Sequence, residues 1–268
     1  MYPSTAVELQ IPNLPQRLQL YVHGEQDKFV SRRIREEGIW EPYETELMLD
    51  LLRPGDVFVD VGANIGYFSV LAASVVGEEG AVFAFEPDPD NFRLLQANAV
   101  LNSQQHCITS VPAALSDTTG KGRLFLATDN LGDHQVYEGE EARPSVPIAL
   151  YQGSEFLKSR LQRLDLLKVD TQGSEFHVIA GLMTLLLSLQ HKPRIIIELT
   201  PYSLREAGAS GRQLIELLAK LGQPLWIIDH IDHSLHGCTV EELAVWCDNW
   251  DRVPEDRGFI NILVGRMD

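Results

Sequence analysis

Apolar positions along the chain fall into two alternating rhythms. Short runs dense in β-branched and aromatic side chains recur: VFVDV (57–61), AVFAFEP (81–87), HCITSVPAAL (106–115) and DLLKVD (165–170). RIIIEL (194–199), LWIID (225–229) and FINILVG (259–265) continue the series. Their length and continuity are those of strands buried on both faces. Between them, Tyr67–Val76 and the segments 91–102, 175–189 and 211–222 run to helix length, with apolar residues at helical spacing. A further helix is expected over residues 41–52, halted by Pro54-Gly55. This order predicts an α/β fold: a doubly wound, Rossmann-like sheet, mostly parallel, with right-handed crossovers. The long interval before the final strand breaks the pattern and predicts that this last strand runs antiparallel.

Residues 1–40 carry Pro3, Pro12 and Pro15 without sustained periodicity and are expected to form an arm packed on a main domain spanning 41–268. Two insertions interrupt that domain, at about 118–164 and 229–258. The first is turn-rich, with Gly120, Gly122, Gly132, Gly139 and Gly153, and reads as a hairpin and lid.

A chain of 268 residues can bury a core large enough for one such domain. Its formal net charge of −16 repels phosphate backbones, and the one basic patch, Arg32, Arg33 and Arg35, is offset by Glu36 and Glu37. Nucleic acid is therefore not an expected partner. Cys107, Cys238 and Cys247 form no C-x-x-C pair, which fits a reducing compartment, with the cytoplasm as the expected location. No stretch reaches the apolar length of a membrane span, so no membrane partner is expected, while self-association stays open.

In an open α/β sheet, ligands bind beyond the carboxyl ends of the strands, and the first core strand ends in Asp60-Val61-Gly62-Ala63-Asn64-Ile65-Gly66. A dinucleotide loop would need small residues where Asn64 and Tyr67 stand, and no Gly-Lys-Ser/Thr closes a P-loop. The pattern D-x-G-x-x-x-G instead suits a ligand with an amino-acid end and a nucleoside end: the glycines admit close backbone approach, and Asp60 offers an acceptor to an ammonium. S-adenosylmethionine has that shape and is the expected cofactor. Glu86, 20 positions after Gly66, ends the second strand where an acid accepts from both ribose hydroxyls, and Pro87 follows it. Asp117, after the third strand, has two readings, an acceptor for the adenine amino group or a plain turn acid.

The segments GIWEPYETELMLDLLRPGDVFVDVGANIGYFSVLAA, FAFEPDPDNFRLLQANAVLN, PAALSD and LLKVDTQGSEFHVIAG together resemble the FkbM family of S-adenosylmethionine-dependent methyltransferases, over about residues 38–200. The resemblance implies a class I methyltransferase fold. It also implies a cofactor held by the loop Gly62, Ala63, Asn64, Gly66 and Tyr67 with Glu86, and an active-site acid at Asp170. Trp40, Glu41, Tyr43 and Glu44 match the family's segment before the first strand, where they would cover the cofactor or simply start a helix. Family members methylate hydroxyls of sugars and secondary metabolites, and some methylate nitrogen in peptide products, so a small-molecule, glycan or peptide acceptor is implied.

A sulfonium methyl is already activated, so alignment of the nucleophile supplies much of the rate, and a hydroxyl nucleophile also needs a proton acceptor. Asp170 at the end of the fourth strand is the first choice for that role, and Glu198 at the end of the fifth is the second. His134, beside Asp133 in the lid, is a third: a histidine near neutral pKa suits a general base, against the alternative of a solvated loop histidine. Glu175 reads either as a first-turn acid or as a substrate contact. The stretch DHIDHSLHGC (229–238) gathers His230, His233, His236 and Cys238. Their spacing on an expected loop does not align them, so no metal is assigned. O-methylation is the expected reaction, N-methylation the rival. A nicotinamide oxidoreductase is disfavoured by the loop, and a non-catalytic S-adenosylmethionine-binding protein is the remaining alternative.

Overall fold

Strand-forming and helix-forming runs alternate through the computed structural model, which describes residues 6–12, 14, 16–139, 142–252 and 258–267. The chain begins with β1 (Val7–Glu8), β2 (Gln19–Leu20), α1 (Val30–Glu37), α2 (Pro42–Leu51), β3 (Val57–Val61) and α3 (Tyr67–Val76). It continues through β4 (Ala81–Phe85), α4 (Pro89–Leu101), β5 (Ile108–Val111), β6 (Ala113–Ser116), β7 (Gly120–Phe125), β8 (Ser145–Gln152) and α5 (Gly153–Leu157). Then follow β9 (Leu166–Val169), α6 (Glu175–Ser188), β10 (Arg194–Leu199), α7 (Pro201–Glu206), α8 (Gly211–Ala219), β11 (Leu225–Asp229), β12 (Ser234–Cys238), α9 (Val240–Trp250) and β13 (Ile260–Val264).

The main sheet has eight strands in the order β12-β11-β13-β10-β9-β3-β4-β5. From β10 to β5 every pairing is parallel. The final strand β13 slots between β10 and β11, antiparallel to both, as its position after a long insertion predicts. Helices α2, α3 and α4 and arm residues Leu18, Leu20 and Val22 cover one face of the sheet. Helices α5, α6, α8 and α9 cover the other. Residues alternate between these faces along each strand: Phe58 packs with the first layer, Val59 and Val61 with the second. Among the described residues no helix is long and apolar enough to cross a membrane.

Two segments depart from the sequence expectation. The run 106–115 is not one strand, because Pro112 has no N–H for a ladder. The chain breaks there, and β6 leaves the main sheet for a three-stranded one, ordered β6-β8-β7, in which β7 and β8 form the expected hairpin. The segment after β11 is also regular, with β12 pairing back on β11 and Thr239 and Glu242 closing a capping box on α9.

The arm is tied to α4 through that helix's asparagines. Tyr21 N–H donates to Asn98 Oδ1 at 2.6 Å, and the fully buried Asn98 returns a bond from Nδ2 to Tyr21 O at 3.0 Å and gives another to Ile65 O at 2.8 Å. His23 Nε2 meets Asn91 Oδ1 at 2.6 Å. The lid between β7 and β8 is anchored alongside, by Asn91 Nδ2 donating to Leu131 O at 3.0 Å and Lys28 N–H donating to Asp129 O at 2.9 Å.

Candidate active site

The two-residue period of the strands places Asp60, Glu86, Lys168, Asp170, Glu198 and Asn261 on the same side of the main sheet, the side covered by α2 and α3. Register then makes them neighbours: Asp60 pairs across to Lys168, and Glu198 to Asn261. Polar side chains in such a layer need partners, because each desolvated group left unpaired costs free energy.

Lys168 is buried and answers several of these demands. Its ammonium lies 3.2 Å from Glu44 Oε1 on α2 and 3.2 Å from Asp170 Oδ2, and 4.5 Å over the Phe68 ring. Glu44, fully buried, accepts from Asn261 Nδ2 at 2.6 Å, and that nitrogen also meets His230 Nε2 at 3.1 Å. Asp60 accepts from Ser69 Oγ at 2.6 Å, and burial pushes its carboxyl up to about 6 against that bond and the nearby lysine. For Lys168 itself, burial works against the charge, and the carboxylates Asp170, Glu44 and Glu41 outweigh it, raising the ammonium well above its usual range.

At the carboxyl ends of β3, β4, β9 and β10 a cavity of about 630 Å³ opens under the lid. The glycine loop forms one wall. Gly62 has φ +86°, and a Cβ there would come within 1.9 Å of the Asp170 carbonyl oxygen, so only glycine lets the β3 and β9 ends lie this close. Gly66 caps α3 at φ +86° against Leu95. Asn64, also left-handed at φ +50°, donates its N–H to Glu86 Oε2 at 2.7 Å, and Asp88 N–H donates to Glu86 Oε1 at 2.8 Å. Burial pushes the Glu86 carboxyl up to about 8, although these two amides favour the anion. Tyr67 is held by its hydroxyl, which accepts from Trp40 N–H at 3.2 Å and meets Thr45 Oγ1 at 3.1 Å.

The opposite wall is the segment DTQGSE. Glu175 is fully buried and spends its carboxylate on the loop, accepting from Thr171 N–H at 2.8 Å, Thr171 Oγ1 at 3.0 Å and Gly173 N–H at 2.9 Å. This holds Gln172 at φ +51°, from where Nε2 donates to Asp170 Oδ1 at 2.8 Å and to Glu198 Oε1 at 3.3 Å. Thr200 Oγ1 adds a bond to Glu198 at 2.9 Å. Burial, then Asp170 and Glu175, hold the Glu198 carboxyl well above the usual range.

Of the residues singled out from sequence, Gly62, Ala63, Asn64, Tyr67, Glu86, Pro87, His134, Asp170 and Glu198 line this cavity. Gly66, Glu44 and Asp60 stand behind the wall: the glycine under α3, the two acids in the buried layer beneath. Asp117 is elsewhere, because β6 has turned into the second sheet, and its Oδ2 meets His177 Nδ1 at 3.2 Å on α6. His134 Nδ1 accepts Ala127 N–H at 3.0 Å, which leaves the proton of a neutral ring on Nε2, facing Asp88 at 3.9 Å. Burial lowers its pKa, so the neutral ring has no free lone pair for a substrate. His230, His233 and His236 lie on the β11–β12 hairpin, where His233 stacks on Tyr43 at 5.3 Å. Among the described residues no three His, Cys, Asp or Glu side chains converge to hold a metal ion. Lys168, Gln172 and Asn261 were not anticipated from sequence. For Lys168 there was a signal, a lone cation in an otherwise apolar strand interior.

The profile of the Methyltransferase FkbM domain matches residues 60–225. Among curated proteins, the hexuronic acid methyltransferase AglP of Haloferax volcanii is 27% identical over 178 residues, 65% of this chain and 66% of its own. The 31-O-demethyl-FK506 methyltransferase FkbM of Streptomyces tacrolimicus is 28% identical over 191 residues, 60% of this chain and 70% of its own. The chain thus spans about two thirds of the length of these relatives. A solved S-adenosylmethionine-dependent O-methyltransferase of Thermotoga maritima aligns over 99% of this chain and 94% of its own with 12% identity and a TM-score of 0.44.

Proposed function

The chain belongs to the FkbM family of methyltransferases, and we propose that it transfers the methyl of S-adenosylmethionine to a hydroxyl of a small polyhydroxylated acceptor of the sugar type. The observation that carries this reading is the cavity itself, with a glycine loop and a two-amide-supported acid on one side and Asp170 on the other. Bound S-adenosylmethionine supplies an activated methyl. Glu86 accepts from the ribose hydroxyls, Gly62 and Ala63 bring their backbone close, and the apolar Phe85, Ala114, Leu115 and Leu124 give the adenine a surface. Asp60 supports the loop from beneath through Ser69.

Asp170 takes the proton of the acceptor hydroxyl. It is the cavity-lining acid that Lys168 touches directly, at 3.2 Å, whereas burial, Asp170 and Glu175 raise the Glu198 carboxyl well above the usual range. Carboxylates accept sugar hydroxyls, and Trp40, Phe29, Tyr202 and Phe259 on the cavity wall offer aromatic faces of the kind on which sugar C–H faces stack. Of the two curated relatives, one is named for a hexuronic acid, which is of this class, and the other for 31-O-demethyl-FK506, which supports transfer to oxygen.

Incubation with labelled S-adenosylmethionine and a panel of neutral, acidic and amino sugars tests the reading. Transfer to oxygen is expected, and Asp170→Asn should keep cofactor affinity while turnover drops by about a hundredfold or more. Methyl found on nitrogen would replace the acceptor assignment, and undiminished turnover in Asp170→Asn would remove the base.

A further inference from the structure

Gln172 occupies a left-handed position, φ +51°, of the kind that glycine, asparagine and aspartate tolerate and glutamine does not favour. Contacts impose it from two directions. Within the loop, the buried Glu175 carboxylate gathers the Thr171 and Gly173 amides at 2.8 and 2.9 Å. From outside it, Gly173 is pinned at φ +108°, where a Cβ would come within 2.6 Å of the Ser203 carbonyl oxygen and 2.8 Å of the Tyr137 ring. A backbone held off its preferred region on a cavity wall points to a role for the side chain that it presents.

That side chain lines the cavity and sets one nitrogen between two acids, donating to Asp170 Oδ1 at 2.8 Å and to Glu198 Oε1 at 3.3 Å. Facing two carboxyls, the amide has one workable orientation, nitrogen toward them. Asp170 is then gripped at both oxygens, since Lys168 takes Oδ2 at 3.2 Å. The two grips differ in kind. Lys168 brings charge, whereas the amide brings direction without charge. A second cation would stabilise the anion further and make it a weaker base, while a neutral donor fixes the plane of the carboxylate and keeps more of its basicity.

We propose that Gln172 is a positioning residue for the transfer: its amide keeps the Asp170 carboxylate aimed at the acceptor hydroxyl and ties it to Glu198. The inference rests on the reading of Asp170 as proton acceptor. Glu198, fastened by Thr200 Oγ1 at 2.9 Å at the end of β10, is the fixed point to which the amide is moored. A proton acceptor needs reach and angle before it needs strength, and a displacement of about 1 Å costs about a hundredfold in rate. Rotation of the Asp170 carboxylate away from the acceptor is the motion that Gln172 blocks.

A double-mutant cycle on Gln172→Met and Asp170→Asn tests this, with labelled S-adenosylmethionine and the best acceptor of the sugar panel. Methionine keeps the side-chain length and removes both donors. Alone it should lower kcat by about tenfold or more, with acceptor KM, calorimetric affinity for S-adenosylmethionine and melting temperature kept. In the Asp170→Asn background it should lower kcat no further, because the amide acts through that carboxylate. A second readout needs no turnover. In protein carrying isotope-labelled glutamine, the Gln172 side-chain NMR signals, identified by their loss in Gln172→Met, should exchange slowly with solvent, and Asp170→Asn and Glu198→Gln should each move them. Unchanged kcat in Gln172→Met, or an equal further loss in the Asp170→Asn background, overturns the proposal. So does a parallel fall in melting temperature and cofactor affinity, which marks the amide as loop architecture. Should Gln172→Met not fold, Gln172→Asn, suited to a left-handed backbone but one methylene short of both acids, takes its place in the cycle. If wild-type protein methylates none of the sugars, the acceptor reading fails by itself, and the amide signals still decide: fast exchange, indifferent to both acid variants, overturns the bridge.

Discussion

Single side chains here are governed by what burial does to charge. Glu86 is the clearest case. With its folded pKa pushed up to about 8 from the ordinary 4.5, its neutral form favours folding. That contribution is fully present below pH about 4.5 and is lost as pH rises through about 8. Denaturant titrations of the ligand-free protein between those limits should therefore show stability falling with pH, and Glu86→Gln should flatten the slope. The same variant should weaken S-adenosylmethionine by about tenfold or more, because a carboxylate accepting from hydroxyls is replaced by an amide that accepts at one atom only. Lys168 presents the opposite problem. Lys168→Met leaves Glu44 buried beside Asp170 without a counter-charge, and a loss of about 3–5 kcal/mol in urea unfolding is expected. Adding Glu44→Gln to that variant should recover part of the loss. If both variants unfold alike, the pair is not what the buried layer depends on.

At the scale of elements, the site is a meeting of strand ends that tolerates little extra volume. Gly62→Ala puts a Cβ into the Asp170 carbonyl and asks a non-glycine residue to hold φ +86°. We expect a melting temperature several degrees lower and cofactor binding lost below the detection limit of calorimetry. Glu175→Ala attacks the other wall, since the Thr171 and Gly173 amides lose their common acceptor. About 2–4 kcal/mol of stability should go, and Gln172 should no longer bridge Asp170 and Glu198. A crystal structure of that variant with the DTQGSE loop unchanged would show that other contacts hold it. Glu175 thus belongs to loop architecture, the first-turn reading of its position rather than the substrate-contact one.

Across the whole molecule, arm, lid and α4 are bound into one unit over the cavity. Removing residues 1–24 would leave Asn98, buried under Tyr21, with two broken bonds, and Asn91 without His23. The truncated protein is expected to melt lower and to bind cofactor more weakly, because Asn91 also holds the lid at Leu131. Unchanged affinity after truncation would mean that the lid is placed without the arm, by Asn91 on Leu131, Lys28 on Asp129, and Asp133 paired with Arg143 at 2.8 Å.

Local features were the ones legible in the amino-acid order. The alternation of strand and helix, the antiparallel last strand, and the glycine loop followed by an acid 20 positions later depend on neighbours in the chain, so composition and spacing carry them. Tertiary structure alone decided the rest, because it depends on which strand lies beside which. Pro112 sent β6 to another sheet and took Asp117 with it. Ala127 claimed the histidine lone pair that spacing had offered to catalysis. Asn261 and Glu44, 217 positions apart, came together with Lys168 because β13 inserts next to β10 while α2 lies over the same face. Sequence specified a nucleotide-type loop on a parallel sheet. The packing of distant carboxyls around one buried lysine gave that loop its charge, and long-range register, which no local spacing encodes, is the reason.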